Sequence, residues 1–499
     1  MTRYRHLITE DNAKWWTLGA MCFALFMIML DNTVVNVALP SIQRDLGASI
    51  SGLEWTVNGY TLSFAVLLAT AGRLGDILGR RRMFLFGVVV FAASSAAAGL
   101  APSTGALVAS RIVQGMGAAF MLPATLSIIT EAFPAEERGK AIGTWAGVSA
   151  LALAMGPVLG GLLTEQVSWR AIFYLNLPVA AGAVVAALFA VRESRDPTVE
   201  RRIDYLGVAA LTGGLTALVL ALIEGNSWGW GSVPIVALLA GAAVLIASFV
   251  AIELRVRVPM VQFGLFADRS FVGAIAVAFI VSFAMLGMFF FLALYMQNIL
   301  GYTPLEAGVR FLPSTLMIVV VAPIAGRLTD RIGARWLITV GLAIVAFALY
   351  QLTLIDAATG YSDLLPSFVL MGIGIALTMS PMSTAAMNAV HEDKAGIASG
   401  LLSMMRMVGG TFGVAATGAV FQAEVGPRLQ EQAATASTAA RDAFISGLTH
   451  SMRLSAAVAL AGAILGCALI RARRDAPKPE TSVATAAGGE ITSAGQPAG

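Results

Sequence analysis

Fourteen apolar runs, each about twenty residues long, constrain this chain more than any other feature. They fall at 16–39, 55–72, 83–101, 105–130, 140–164, 169–191, 204–224, 232–253, 271–297, 307–326, 336–354, 364–389, 396–421 and 446–470. A hydrocarbon core about 30 Å thick is crossed by about 20 helical residues. Lipid offers no hydrogen bonds, so only helices or closed barrels satisfy a spanning backbone. The runs are helix-length and lack the period-two alternation of barrel strands. Composition agrees, because the chain is 58% hydrophobic and only 12% charged, against roughly 25% charged residues in a soluble domain. The predicted fold class is an all-α membrane protein with fourteen transmembrane helices.

Charge placement orients these helices. Residues 1–14 are polar and include Glu10 and Asp11, and the following run is too long for a cleaved leader. The first run is therefore read as a retained helix. Arginines cluster in alternate connections: Arg80 to Arg82; Arg192, Arg195, Arg201 and Arg202; Arg327, Arg331 and Arg335; Arg471, Arg473 and Arg474. Basic residues mark the cytoplasmic side, so both termini are expected in the cytoplasm and the chain in the cytoplasmic membrane. The net charge of +3 then reflects this bias rather than a nucleic-acid partner.

The titratable residues exclude several kinds of chemistry. Cys22 and Cys467 lie inside apolar runs, and His6, His391 and His450 are far apart. Neither set has the clustering that metal or haem ligation needs, so no metal or cofactor is expected. No GxxxxGK[ST] phosphate loop occurs. The connections are short, which leaves no room for a soluble catalytic domain, and no enzyme is expected. The outer stretch 422–445 is expected to form a short surface helix, and the Ala/Gly/Ser/Thr-rich tail 475–499 to be disordered.

The chain repeats itself. The connection after helix 2 reads Gly72-Arg73-Leu74-Gly75-Asp76-Ile77-Leu78-Gly79-Arg80-Arg81. The one after helix 10 reads Gly326-Arg327-Leu328-Thr329-Asp330-Arg331-Ile332-Gly333-Ala334-Arg335. Gly, Arg, Leu, Asp, Gly and Arg recur in the same register. Helices 1–6 (15–191) and 9–14 (271–470) are thus read as homologous halves, with helices 7 and 8 (204–254) inserted between them. Repeated halves around a site near the midplane are a common build of secondary transporters.

Further motifs follow in order. Helix 1 ends Leu30-Asp31-Asn32-Thr33-Val34-Val35-Asn36-Val37-Ala38-Leu39-Pro40, and helix 4 carries Arg111-Ile112-Val113-Gln114-Gly115-Met116-Gly117. Helix 5 carries Gly156-Pro157-Val158-Leu159-Gly160-Gly161, and helix 6 opens Trp169-Arg170-Ala171-Ile172-Phe173, followed by Asn176 and Pro178. Together these stretches resemble the major facilitator superfamily, and within it the fourteen-helix drug:proton antiporter family, over roughly residues 15–470. The resemblance implies the major facilitator fold, two six-helix bundles plus two inserted helices. It implies proton-coupled efflux of drugs or other hydrophobic small molecules by alternating access. A dedicated exporter of one endogenous metabolite would use the same machinery. The expected partners are small-molecule substrates, protons and lipid, with the chain acting as a monomer.

Asp31 is the sharpest candidate residue. It lies about 22 Å along helix 1 at about 1.5 Å per residue, in the outer half of the membrane. An ionisable group there is costly unless it is paired or faces water. Arg111, near the outer start of helix 4, is at a matching depth and is its expected partner; Gln114 lies one turn further in. The resemblance implies proton coupling for Asp31 and Arg111, while the residues alone also allow a purely structural ion pair. Gly72, Gly75, Asp76, Gly79 and Arg80 form the expected conformational-switch loop, which the resemblance implies latches the halves together on the cytoplasmic side. Gly156, Pro157, Gly160 and Gly161 form the expected antiporter motif, with a kink and a close-packed face. Asn36, Asn58, Tyr60, Gln114, Tyr295, Gln297 and the mid-helix Arg406 are candidate cavity-lining residues. Glu224 with Trp228 and Trp230 is read as part of an interfacial aromatic belt.

Overall fold

The computed structural model describes residues 10–195, 200, 203–257, 259–356, 359–391, 394–431 and 438–471. The predicted disordered tail at 475–499 lies outside them. Among the described residues there are fourteen helices long and apolar enough to cross a membrane. They are α1 (Asn12–Leu46), α2 (Ile50–Leu78), α3 (Arg80–Gly99), α4 (Thr104–Ala132), α5 (Glu136–Gln166), α6 (Ala171–Ala190) and α7 (Tyr205–Trp228). The others are α8 (Val233–Glu253), α9 (Arg269–Asn298), α10 (Pro304–Ile332), α11 (Ala334–Leu354), α12 (Tyr361–Asn388), α13 (Ala395–Val425) and α14 (Ala440–Leu469).

Most of these helices outrun the apolar runs that predict them. The runs end where polar residues begin, but the helix needs only an unbroken backbone ladder and a cap. Ser49 caps α2 by accepting from the amide of Gly52 at 3.1 Å, and Ser103 caps α4 through Ala106 at 3.3 Å. Among the described residues, the expected surface helix within 422–445 is not a separate element. Instead the helix of α13 continues to Glu431, and that of α14 begins at Thr438. Two helices are interrupted, each by a proline. Pro178 has no N–H for the carbonyl of Tyr174, and α6 breaks into Ala171–Tyr174 and Asn176–Ala190. Pro313 likewise cannot bond the carbonyl of Val309, and α10 divides into Pro304–Arg310 and Leu312–Ile332.

Packing sorts the helices into the two predicted groups. In the first half α1 packs on α4, α5 and α6, and α4 packs on α2 and α3. In the second half α9 packs on α12, α13 and α14, and α12 packs on α10 and α11. Contacts between the groups run along two seams, α2 with α13 and α5 with α10, and between α1 and α9. The inserted α7 rests on α2 and α13, with α8 on its other side. Large apolar side chains stay exposed around the outside, among them Phe23, Phe86, Val89, Val244 and Ile464. Trp15, Trp16, Trp228, Trp230 and Trp336 lie exposed at helix ends, as in an interfacial belt. The chain is a multi-pass membrane protein.

The two membrane faces differ. An even number of spans places both ends of the helical array on one face, here called the near end. At the far end the bundles touch closely, and at the near end they do not. Alpha-carbon substituents make the contrast visible along single helices. In α5, a Cβ added at Gly139, Gly143 or Gly147 would meet nothing within 4 Å, whereas one at Gly161 would strike the Pro304 carbonyl. In α13, Gly396 and Gly400 are equally open, whereas a Cβ at Gly418 would strike Glu54 of α2. Hydrogen bonds between the bundles lie at mid-height or beyond: Thr61 with Thr411 at 2.7 Å, Gln422 to Glu54 at 2.9 Å, Gln297 to the Val37 carbonyl at 2.8 Å, and the Leu305 amide to Glu165 at 3.0 Å. The cleft opens toward the near end.

Candidate functional site: a buried acid held by three helices

The Arg111 motif is built for a close helix contact. A side chain at Gly115 would collide with the backbone carbonyl of Tyr60, so glycine there lets α4 lie directly on α2. Ser63 reinforces the contact by donating to the Ile112 carbonyl at 2.8 Å. Arg111 and Gln114, three residues apart, then project from one face of α4.

That face meets Asp31. The aspartate is near the middle of α1, and it is completely buried. Its Oδ2 forms an ion pair with Arg111 Nη1. Its Oδ1 accepts from Gln114 Nε2 at 2.9 Å and from Asn176 Nδ2 at 3.3 Å. Arg111 is equally saturated. It donates to Gln114 Oε1 at 2.8 Å and, through Nε, to the Thr56 carbonyl at 3.1 Å, and it stacks 4.3 Å from the Tyr60 ring. Charged groups in the membrane need partners of this kind.

Asn176 is the member that sequence reasoning missed. It follows the Trp169-Arg170 motif, whose task becomes visible in the fold. Asp45 at the end of α1 accepts from Trp169 Nε1 at 2.9 Å and from Arg170 Nη1 at 2.5 Å. This anchors the start of α6 to α1, and further along α6 Asn176 points inward, where it also donates to Ser95 Oγ at 3.0 Å. Ser95 in turn donates to the Phe173 carbonyl at 2.8 Å. The signal for Asn176 in the sequence was its place in the helix 6 motif, which carried no assignment to the Asp31 site.

The expected cavity-lining residues divide. Asn58, Tyr60 and Tyr295 have no exposed surface and so line no cleft in this conformation, and Asn36 is buried. Gln114 belongs to the Asp31 network. Gln297 spans the bundles to α1. Arg406 is half-buried, and its Nε is enclosed without a hydrogen-bond partner. It shares a helix face with Gly409 and Gly413, which pack on Phe279 and Phe283 of α9. It is not among the residues bonded to Asp31.

The switch loop is a tight turn. Gly79 has φ of 120°, a conformation that disfavours side chains, and a Cβ there would fall on the Glu193 carboxylate. Arg80 donates to Asp76 at 3.0 and 3.1 Å and to Glu131 of α4 at 3.1 Å. The Arg81 amide donates to Glu193 at 3.2 Å. Among the described residues, these bonds stay on the first bundle's side, on α2, α4 and the stretch after α6. Gly72 lies against Pro123 of α4, but Gly75 has open space around it and provides no close approach. In the antiporter motif, Gly156 and Gly160 bring α5 onto Thr33 and Val34 of α1. Gly161 and Gly308 bring backbones of opposite bundles together, because a Cβ at Gly308 would strike the Pro157 carbonyl. Cys22 and Cys467 are free, and among the described residues no cluster of three potential metal ligands occurs.

Comparison with known proteins follows the same lines. Residues 21–414 match the model of the Major Facilitator Superfamily, and the chain belongs to that family. It is 41% identical over 415 residues to the multidrug resistance protein Stp of Mycobacterium tuberculosis, covering 83% of this chain and 77% of that protein. It is 34% identical to the tetracenomycin C resistance and export protein of Streptomyces glaucescens, covering 93% of each chain. Identity to the puromycin resistance protein pur8 of Streptomyces alboniger is 37%, again over 93% of each. The fold resembles the crystal structure of a bacterial homolog of the human lysosomal transporter Spinster in an inward-facing conformation. That match has a TM-score of 0.63 at 18% identity and covers 91% of this chain and 96% of the other. A peptide transporter, POT, in complex with sulfate gives a TM-score of 0.65 at 14% identity, covering 93% and 99%.

Proposed function

We propose that this chain exports drugs or other hydrophobic small molecules across the cytoplasmic membrane in exchange for protons, with both termini in the cytoplasm. The observation that carries this reading is Asp31, a fully buried acid in mid-helix α1 whose partners come from α4 and α6. With the far end open, an outside proton binds the Asp31 carboxylate and cancels its charge. The ion pair to Arg111 is then lost, and the relative energies of the two conformations change. With the near end open, as in this conformation, the proton leaves to the cytoplasm and the Arg111 pair re-forms. Substrate enters from the near end and leaves from the far end. Each proton moving inward gains about 2.3 kcal/mol per 100 mV of membrane potential. Names such as multidrug resistance protein and puromycin resistance protein among the relatives support drugs as the cargo.

The test is efflux of a fluorescent dye or antibiotic from proteoliposomes under an imposed pH gradient. Wild type should pump uphill and stop when an uncoupler is added. Asp31→Asn should exchange substrate passively but fail to concentrate it. Uphill pumping by Asp31→Asn would refute the coupling role. A second reading, export of one endogenous metabolite, is favoured by the tetracenomycin C export relative. A substrate panel separates the two, since a dedicated exporter would move one chemical class only.

A further inference from the structure

Glu54 is a second buried acid, and it is built differently from Asp31. It sits in the second turn of α2 with none of its surface exposed, facing α13 of the opposite bundle. Its Oε1 accepts from Gln422 Nε2 at 2.9 Å, while its Oε2 is enclosed without any partner. Gly418 of α13 makes the space, because a Cβ at that position would overlap the carboxylate. Among the described residues, no cation lies within ion-pair distance of it.

The surrounding charges do not compensate. From α7 the charged side chain facing it is Glu224, another acid, which accepts from Ser227 at 2.7 Å. On α13, Glu424 stands 3.9 Å from His450 of α14. On α1, Asp45 is committed to Arg170 and Trp169. On α4, Arg111 is committed to Asp31. The charges of α3, Arg80 to Arg82, lie at its near end. An ionised carboxylate here would be desolvated and uncompensated, and the neutral acid avoids that cost.

Gln422 and Gly418 of α13 lie directly against the Glu54 carboxylate, so its enclosure includes the closed α2–α13 contact. Opening the far end separates Gln422 and Gly418 from it and admits water. We propose that Glu54 is a second proton-binding site, loaded while α2 and α13 close the far end and unloaded to water when they part. On opening, the carboxyl O–H bond breaks, the proton passes to far-side water, and the carboxylate is solvated. Closing requires the reverse. Low pH on the far side therefore favours the closed seam. The proposal rests on the alternating-access reading above, but not on Asp31 as the coupling acid.

The test places spin labels at Ser51→Cys of α2 and Ala423→Cys of α13, in purified full-length protein whose Cys22 and Cys467 are replaced by serine. Label distances in nanodiscs are followed from about pH 5.5 to about pH 8.5, a range wide enough to titrate a buried acid. The closed population should fall at least about threefold as pH rises, and Glu54→Gln should stay closed throughout. Glutamine is isosteric and still accepts from Gln422, so a folding defect is not built in. Asp31→Asn should keep the wild-type response. A wild-type seam indifferent to pH, or a Glu54→Gln seam that still opens with pH, overturns the proposal. Gradient-driven efflux is measured on the same preparations. Its absence in wild type would sink the antiport reading, while the distance result would still decide the role of Glu54.

Discussion

The far end is closed by two seams made of different materials. Between α5 and α10 the contact is backbone on backbone, where Gly161 and Gly308 let Pro304 and Pro157 approach. Between α2 and α13 the contact is polar side chains, with Thr61 on Thr411 and Gln422 on Glu54. A glycine seam depends mainly on shape, although here the exposed Glu165 carboxylate of α5 also accepts from the Leu305 amide of α10 at 3.0 Å. A polar seam containing an acid with no counter-ion among the described residues is the one proposed to depend on protonation. The pair Asp31–Arg111 offers a third case, since it lies inside one bundle and crosses neither seam.

That contrast can be broken or sharpened experimentally. The largest effect is expected within the bundle. Arg111→Ala leaves Asp31 buried without its cation, and breaking a buried pair costs about 3–5 kcal/mol. Thermal unfolding should show a large drop, mostly recovered in the double variant Arg111→Ala with Asp31→Asn, which buries no charge. Failure of the second change to rescue would mean that Arg111 matters for packing, not charge. Next comes Gly308→Val. Its side chain meets the Pro157 carbonyl, and overpacking costs about 1–3 kcal/mol, or about 5- to 150-fold in the closed population. Label distances between α5 and α10 should lengthen equally at every pH. A pH-dependent response would remove the distinction between the seams.

Thr61→Val should be milder. It removes one hydroxyl from the α2–α13 seam, worth about 0.5–1.5 kcal/mol, and should shift closure up to about tenfold while preserving its pH response. The smallest effect is expected at the partly exposed Asp45–Arg170 pair. Arg170→Ala should cost about 1 kcal/mol or less by thermal unfolding. A larger loss would show that the anchor governs where Asn176 is placed.

The repeated loop shows how far sequence similarity reaches. Gly79 and Gly333 both have positive φ, 120° and 86°, so the turn recurs in both halves. Among the described residues, the Arg80–Asp76 pair has no counterpart in the second copy. Where the first copy has Arg80 on Asp76, the second has Ala334 in place of the arginine, and Asp330 is exposed. The repeat records common backbone geometry, while the side-chain chemistry of the two halves has diverged.

Much of the site was legible because the membrane penalises charge. Asp31 and Arg111 stood out as charges in apolar runs at matching depth, and Gln114 followed at helical spacing. Asn176 did not stand out, because a neutral amide carries no comparable penalty and its partners are distant in sequence. Glu54 was missed for another reason. The apolar run of helix 2 was read from Trp55 onward, which left Glu54 in a connection, where an acid is ordinary. The helix begins earlier, at Ile50, and the opposite bundle covers the acid.

By itself, the sequence determined the number of spans, their division into six, two and six, and the family. Those follow from the cost of unpaired backbone in lipid and from motifs whose glycines and charges have local tasks. The tertiary structure decided which end is closed, which glycines touch the opposite bundle, and which acids have a counter-ion. Those properties depend on how two rigid bundles lean on each other. On the alternating-access reading proposed above, one sequence is compatible with at least two such arrangements, and only the tertiary structure says which contacts are made in a given state.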